Sequence, residues 1–203
     1  MREAKKHKWL NGMCNRFSCT QNLPMREVKI TLALFFLVFH NVIAQHEADN
    51  KQAENWATFI GDGYQLNYPK DWELNESLPN AEMAVLSELT SEADSFRENV
   101  NLLIQDLTGT DIDLDQYVQI SENQVRNELV NGRIFYSDRH NVTGSEFHMI
   151  IYSGQFGTTN LKLQQHYLIK DKKAYVITLT CAYTEFDNYQ KIGAMILGSF
   201  QFK

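Results

Sequence analysis

The chain is poor in the residues that would make its chemistry easy to name. Cysteine occurs three times in 203 residues, and two of the three, Cys14 and Cys19, precede an apolar run at Ile30–Phe39. Beyond that run only Cys181 remains, and one thiol builds neither a disulfide framework nor a cysteine zinc site. Cys181 shares strand parity with Ile177 and Leu179, which reads as a buried, inert thiol rather than a nucleophile. Proline also occurs three times, at Pro24, Pro69 and Pro79, and no repeat, low-complexity tract or internal linker interrupts the chain after Trp56. There is no G-x-S-x-G elbow, no P-loop and no G-x-G-x-x-G, which removes the usual sequence signals of serine hydrolysis and nucleotide binding.

Long hydrophobic runs are absent but for Ile30–Phe39, "ITLALFFLVF". Ten residues rise only about 15 Å as a helix, half a bilayer core. With Arg26 and Lys29 before it and "HNVIAQ" after it, the run reads as a secretory signal over residues 25–44. Cleavage is expected between Ala44 and Gln45, with a retained anchor as the weaker reading. The polar residues 1–24 make an unusually long leader, and Met25 is the expected start of translation.

The first 44 residues hold seven of the 19 Lys and Arg and two of the 25 Asp and Glu. The processed chain would therefore carry 12 basic and 23 acidic side chains, a net charge of −11. Such a surface repels phosphate backbones and anionic lipid heads, so nucleic acid is excluded as a partner. Membrane contact is expected only through an uncleaved signal.

Residues 45–55 are polar and read as a disordered lead-in, and 56–203 as a single domain. "WATFIGDGYQLNYP" is a hairpin about Gly61-Asp62-Gly63. Strands follow at Met83–Leu89 and in "NVNLLIQDL". Leu114, Tyr117, Val118, Ser121, Val125 and Leu129 then trace one face of a helix, with Asp113 as N-cap and Gln116 three residues on. Four strands come next, "RIFYSDRHNV", "SEFHMIIYSGQF", "LKLQQHYLIK" and "AYVITLTCAY". They are separated by turns at Val142-Thr143-Gly144, Gly157–Asn160 and Asp171-Lys172, short enough to force antiparallel neighbours. A last helix is expected from Thr184, with Asp187 completing a capping pair, and "SFQF" closes the chain as a strand. This order predicts an α+β fold in which an antiparallel sheet is flanked by helices on both faces.

The order also resembles a known family. "YPKDWEL", the later "FRENVNLLIQDL", the helix opening "DLDQYVQISENQV", the strand meander and the terminal helix into "SFQF" together are similar to PsbP-like and DcrB-like proteins. The phrase built on Phe96, Asn99, Val100 and Asn101 carries the likeness, which runs from about Trp56 to Phe202. It implies the Mog/PsbP-like α/β/α sandwich and mainly non-catalytic roles: assisting photosystem II, binding the GTPase Ran, or serving in the bacterial envelope and as chaperones for hydrophobic secreted segments. A signal-bearing, acidic chain best resembles the envelope group.

Candidate sites are few. Asp111, Asp113, Asp115 and Glu122 stand at positions 1, 3, 5 and 12 of a calcium loop. Position 6 is Gln116, where that loop needs glycine for its turn, and the same residues make a capped amphipathic helix, the reading preferred here. His140, His148 and His166 are the histidines inside the fold, and a metal site would require a fortunate strand register. Glu82, Glu88, Glu92, Asp94 and Glu98 read as a solvated acidic face. "NES" at Asn75 and "NVT" at Asn141 match glycosylation acceptors, relevant only in a eukaryotic secretory host. The expectation is an exported periplasmic or extracellular protein without cofactor or catalysis, binding a protein or peptide, hydrophobic segments included. The rival is an uncharacterised periplasmic enzyme or calcium-binding protein.

Overall fold

Short turns and alternating apolar residues force most of this chain into antiparallel hairpins, and the large sheet follows from them. A computed structural model describes residues 55–92, 94–142 and 145–203. The expected leader, the signal with its Ala44–Gln45 cut, nearly all of the lead-in and the Thr143-Gly144 turn lie outside the described residues. Among the described residues no helix is long and apolar enough to cross a membrane.

The described strands form two sheets rather than the one the sequence predicts. In the smaller, β1 (Trp56–Gly61) pairs with β2 (Tyr64–Pro69), and β2 with the closing strand β10 (Gln201–Phe202). "SFQF" therefore does not join the large sheet. The larger sheet has the order β3-β4-β5-β9-β8-β7-β6, antiparallel throughout. Its strands are β3 (Glu73–Asn75), β4 (Met83–Leu86), β5 (Asn99–Asp106), β6 (Val130–Val142), β7 (Ser145–Phe156), β8 (Thr159–Lys170) and β9 (Lys173–Ala182). β3 is a short strand the sequence does not single out, and β4 stops three residues before the expected Leu89. The Arg97 side chain donates to the carbonyls of Leu86 and Ser87, which diverts those acceptors from further pairing.

Helix α1 (Leu114–Asn127) connects β5 to the far edge strand β6. β9, β8 and β7 lie between, so the connection crosses four strand spacings, roughly 19 Å. Fourteen helical residues span roughly 21 Å, enough to make that crossing. Its start is the reciprocal box that the spacing predicts. The Asp113 carboxylate accepts from Gln116 N at 2.8 Å, and the Gln116 side chain accepts from Asp113 N at 3.0 Å. At its end the chain turns back so tightly that a Cβ on Gly132 would stand 1.8 Å from the Val125 carbonyl oxygen. Only glycine fits there.

Helix α2 (Phe186–Gly198) begins two residues later than expected and lacks the expected cap. Glu185, at its N-cap, is already helical (φ −95°, ψ −11°) and makes no side-chain cap bond. Thr184 points its hydroxyl at Glu185 instead, while Asp187 faces Lys162 on β8 at 3.5 Å. Preceding backbone turns therefore replace the side-chain cap. α2 approaches β9 closely, because a Cβ on Gly193 would lie 2.4 Å from the Leu179 side chain. Ser199, just past the helix, accepts from Asn67 N at 2.8 Å and ties the helix end to β2.

Two clusters form the interior. One gathers Leu66, Met83, Val85, Val100, Leu102, Ile177 and Leu179 with Phe186, Ile196 and Leu197 of α2. The other gathers Ile150, Tyr152, Leu161, Leu163, Tyr167 and Val176 with Val118 and Val125 of α1.

Candidate functional site

In β5, Val100 and Leu102 are fully buried, as the alternation predicts. Asn99 Nδ2 donates back to the Arg97 carbonyl at 3.1 Å, closing the turn that leads into the strand. Arg97 itself meets Glu73 at 2.6 Å. Phe96 packs beside the α1 cluster, and Asn101 pairs across to Ala84 and Thr178. Glu98 departs from its expected place on a solvated face. It is 2% exposed, and burial pushes its carboxyl above the usual range, while Ala182 N donates to it at 3.3 Å. Phe96 packs against the α1 cluster and Val100 in the α2 cluster on either side of it. Nothing in the spacing distinguishes it from Glu92 or Asp94.

The carboxylates of the calcium-like stretch go separate ways. Asp113 caps α1, Asp115 pairs with Arg139 of β6, Glu122 pairs with Arg126 at 3.0 Å, and Asp111 lies 3.6 Å from Lys172. Among the described residues no three His, Cys, Asp or Glu side chains gather as metal ligands would. The histidines divide similarly. His166 stacks on Phe147 at 4.5 Å, and Phe147 on His140 at 5.2 Å. His148 is paired in register with Tyr167, one step from Met149 and His166, so it points to the opposite face from His166.

The concave feature of most chemical interest lies beneath α1. A cavity of about 370 Å³ is bounded by Tyr117, Ser121 and Val125 of the helix and by Tyr152, Tyr167 and Val176 of the sheet. Leu103, Leu129 and Phe156 extend its apolar wall, and Gln124, Gln165 and Glu128 add polar groups. Tyr117 and Tyr167 meet edge to face at 5.6 Å. Burial pushes the Tyr152 hydroxyl up to about 12 and that of Tyr167 higher still, so both keep their protons at neutral pH. The sequence marks Tyr117 only as a helix-face residue and gives no sign of this cavity. Tyr152 and Tyr167 are two strands' alternate residues, and only the register brings them together.

No protein-family model matches the chain, and no curated protein matches it. Solved structures do. The cyanobacterial PsbP of Synechocystis sp. PCC 6803 aligns with a TM-score of 0.55 at 13% identity, over 73% of this chain and 93% of that one. LpqN, described as involved in cell envelope biogenesis of Mycobacterium tuberculosis, aligns with a TM-score of 0.56 at 17% identity, over 73% and 90%. The chain has a PsbP-like fold.

Within this PsbP-like fold two arrangements invite a catalytic reading. Ser137 Oγ and His148 Nε2 are 2.7 Å apart on β6 and β7. A serine nucleophile needs its histidine held by a third group and donors for an oxyanion. Among the described residues no carboxylate hydrogen-bonds His148. Burial, helped by the Arg139 guanidinium, pushes its pKa down. The pair lies outside the α1 cavity and reads as a cross-strand contact. Cys181 is fully buried, and burial, with Glu98 and Glu185 nearby, pushes its thiol up to about 12. A thiolate is then scarce at neutral pH.

Proposed function

We propose that this chain is an exported, non-catalytic module of the cell envelope that binds or scaffolds a protein or peptide along edge strand β6. β6 itself carries the reading. It ends the seven-stranded sheet, runs for 13 residues, and exposes Val130, Phe135, Tyr136 and Val142. Among the described residues no further strand pairs with β6, and an edge of that length suits an incoming strand, while apolar side chains supply pockets for specificity. Two irregularities in the β6–β7 register, between Val130 and Arg133 and between Ile134 and Tyr136, break the ladder near one end. They leave Tyr136–Asn141 as the regular segment for pairing. An extended hydrophobic segment is the matching cargo.

Export rests on the signal-like residues 25–44, and the envelope setting on the likeness to LpqN. The layered arrangement belongs to the same reading. β9 sends Ile177 and Leu179 into the α2 cluster and Val176 into the α1 cluster, which supports helices on opposite faces of the large sheet, as in an α/β/α sandwich. Affinity capture with the full chain from an envelope extract tests the function, run beside a Phe135→Lys variant. Proteins retained by the wild type and lost by the variant are expected. Identical captures from both would overturn docking on β6.

A further inference from the structure

We propose that the cavity between α1 and the large sheet is a binding site for a small, uncharged molecule with an apolar or aromatic body and one hydrogen-bond acceptor. The inference is independent of a protein partner on β6, since Phe135, Tyr136 and Val142 do not line this cavity.

Hydrogen bonding singles out one group. Around the cavity, Tyr117 donates its hydroxyl to Gln105 at 3.0 Å and Ser121 to the Tyr117 carbonyl at 2.9 Å. Tyr167 donates to the Gln165 side-chain oxygen, and the Gln165 amide donates to Thr178 at 3.0 Å. Of the buried and half-buried polar residues described there, Tyr152 alone is left over. It is 7% exposed, its hydroxyl makes no bond to any described residue, and burial raises its pKa. That hydroxyl is not sealed in protein either, because it opens to the cavity that the ring lines. Water in the cavity can solvate it, while the described residues offer it no acceptor. A bound molecule that displaces that water must supply an acceptor in its place, or the donor is left unpaired at a cost of about 1–3 kcal/mol. Since the Tyr152 proton stays on at neutral pH, the missing partner is an acceptor.

The walls set the rest of the ligand. Leu103, Val125, Leu129, Phe156 and Val176 are apolar, and the Tyr117 and Tyr167 rings present aromatic faces and edges. Among the described residues no Lys, Arg or His lines the cavity, and the single charged one that does, Glu128, is exposed. An anion would shed its hydration beside a carboxylate and gain no counter-charge, which costs far more than one hydrogen bond returns. The volume of about 370 Å³ falls in the range of small-molecule sites, roughly 300–1,000 Å³, and excludes a folded partner.

The test uses the neutral naphthyl ketone Prodan, whose emission moves to the blue when it leaves water, titrated with the full chain. A saturable blue shift is expected. Tyr152→Phe removes the donor and keeps the ring, so affinity should fall roughly fivefold, the worth of one hydrogen bond. Leu103→Trp fills the cavity from β5 and should abolish the shift, with circular dichroism reporting its fold. Tyr152→Phe keeps the test independent of whether Leu103→Trp folds. The anionic naphthalene dye ANS should bind at least tenfold more weakly, and Phe135→Lys should leave Prodan binding unchanged. Three results would overturn the proposal: no saturable shift with the wild type, equal affinity in Tyr152→Phe, or ANS binding as tightly as Prodan.

Discussion

Strand β9 supplies both interior clusters, and they are built differently. Ile177, Leu179 and Cys181 face α2 and are fully buried, beside Leu66, Val100, Leu102 and Ile196 in the same state. Val176 and its neighbours face α1, where Ile150 alone is fully buried and Val118, Val125, Tyr152 and Leu161 each stay 6–7% exposed. Gly193 lets α2 settle onto Leu179, and the small sheet adds Tyr64 against Tyr175 at 5.9 Å. Beneath α1, Tyr117, Tyr152 and Tyr167 border a gap that the helix leaves open, whereas the rings on the α2 side, Tyr64 and Tyr175 among them, pack against one another and the aliphatic chains. The difference separates a face that holds the fold together from a face with room for a ligand.

The sharpest way to break that contrast is to cut one side chain from each face. Leu179→Ala opens a hole in a sealed interior and should destabilise by about 3–5 kcal/mol. Val125→Ala removes less volume beside space that already exists, and should cost about 1–2 kcal/mol. Denaturant midpoints of the two variants measure both. Similar losses would mean that the α1 side is packed as tightly as the α2 side.

Acid should act chiefly through the α2 side of the large sheet. His166 is 6% exposed, and burial, with His140 near it, lowers its pKa from 6.5 to about 4. The unfolded chain therefore binds more protons between those values, and stability falls as pH drops through that window. The loss amounts to at most about 3 kcal/mol. Glu98 works in the opposite sense. Its raised pKa means that the folded state holds the proton more firmly, so its contribution is full below the ordinary value of 4.5 and is lost as pH rises through the folded pKa. His166→Gln should flatten the acid limb of melting temperature against pH, and Glu98→Gln should raise stability at neutral pH. His148, on the α1 side, is also lowered by burial and Arg139, and His148→Gln should flatten the limb less. A larger effect at His148 would reverse the comparison.

The joint between α1 and β6 comes next in size. Gly132→Ala would drive a Cβ into the Val125 carbonyl, so the helix end or the strand start must shift. A cost of about 1–3 kcal/mol is expected from such overpacking. Because Val125 and Leu129 line the cavity, Prodan affinity should change with it. A loss of stability with unchanged binding would show that the helix end moves without the cavity wall.

The residues disclosed the two faces unevenly. α1 was legible because its register, its Asp113–Gln116 box and its apolar stripe are local, and Cys181 was placed by parity alone. The β7–β8–β9 meander followed from turns such as Asp171-Lys172, where both residues hold positive φ (51° and 58°). What stayed hidden depends on long-range register. The separate sheet needs Gln201 to find Gln65 across 136 residues, and no local pattern specifies that pairing. The backbone start of α2 defeated a Thr184–Asp187 cap because Asp187 faces Lys162 of β8 instead. The cavity was hidden for a further reason: a tyrosine with a partner and one without look alike in sequence.

That last point gives the finest comparison, between two tyrosines of one cavity. Tyr167 anchors a chain in which its hydroxyl donates to Gln165 and Gln165 donates to Thr178. Tyr167→Phe removes the donor to the half-buried Gln165 oxygen and should destabilise by about 1–2 kcal/mol. Tyr152→Phe deletes a hydroxyl that bonds to nothing in the protein, and should change stability by less than about 0.5 kcal/mol in either direction. Two equal oxygen deletions, one strand apart, would then differ only in whether the protein itself supplies the partner. A Tyr152→Phe loss as large as that of Tyr167→Phe, measured by urea unfolding without any ligand, would mean that the Tyr152 hydroxyl is already satisfied within the protein and has nothing left to offer a bound molecule.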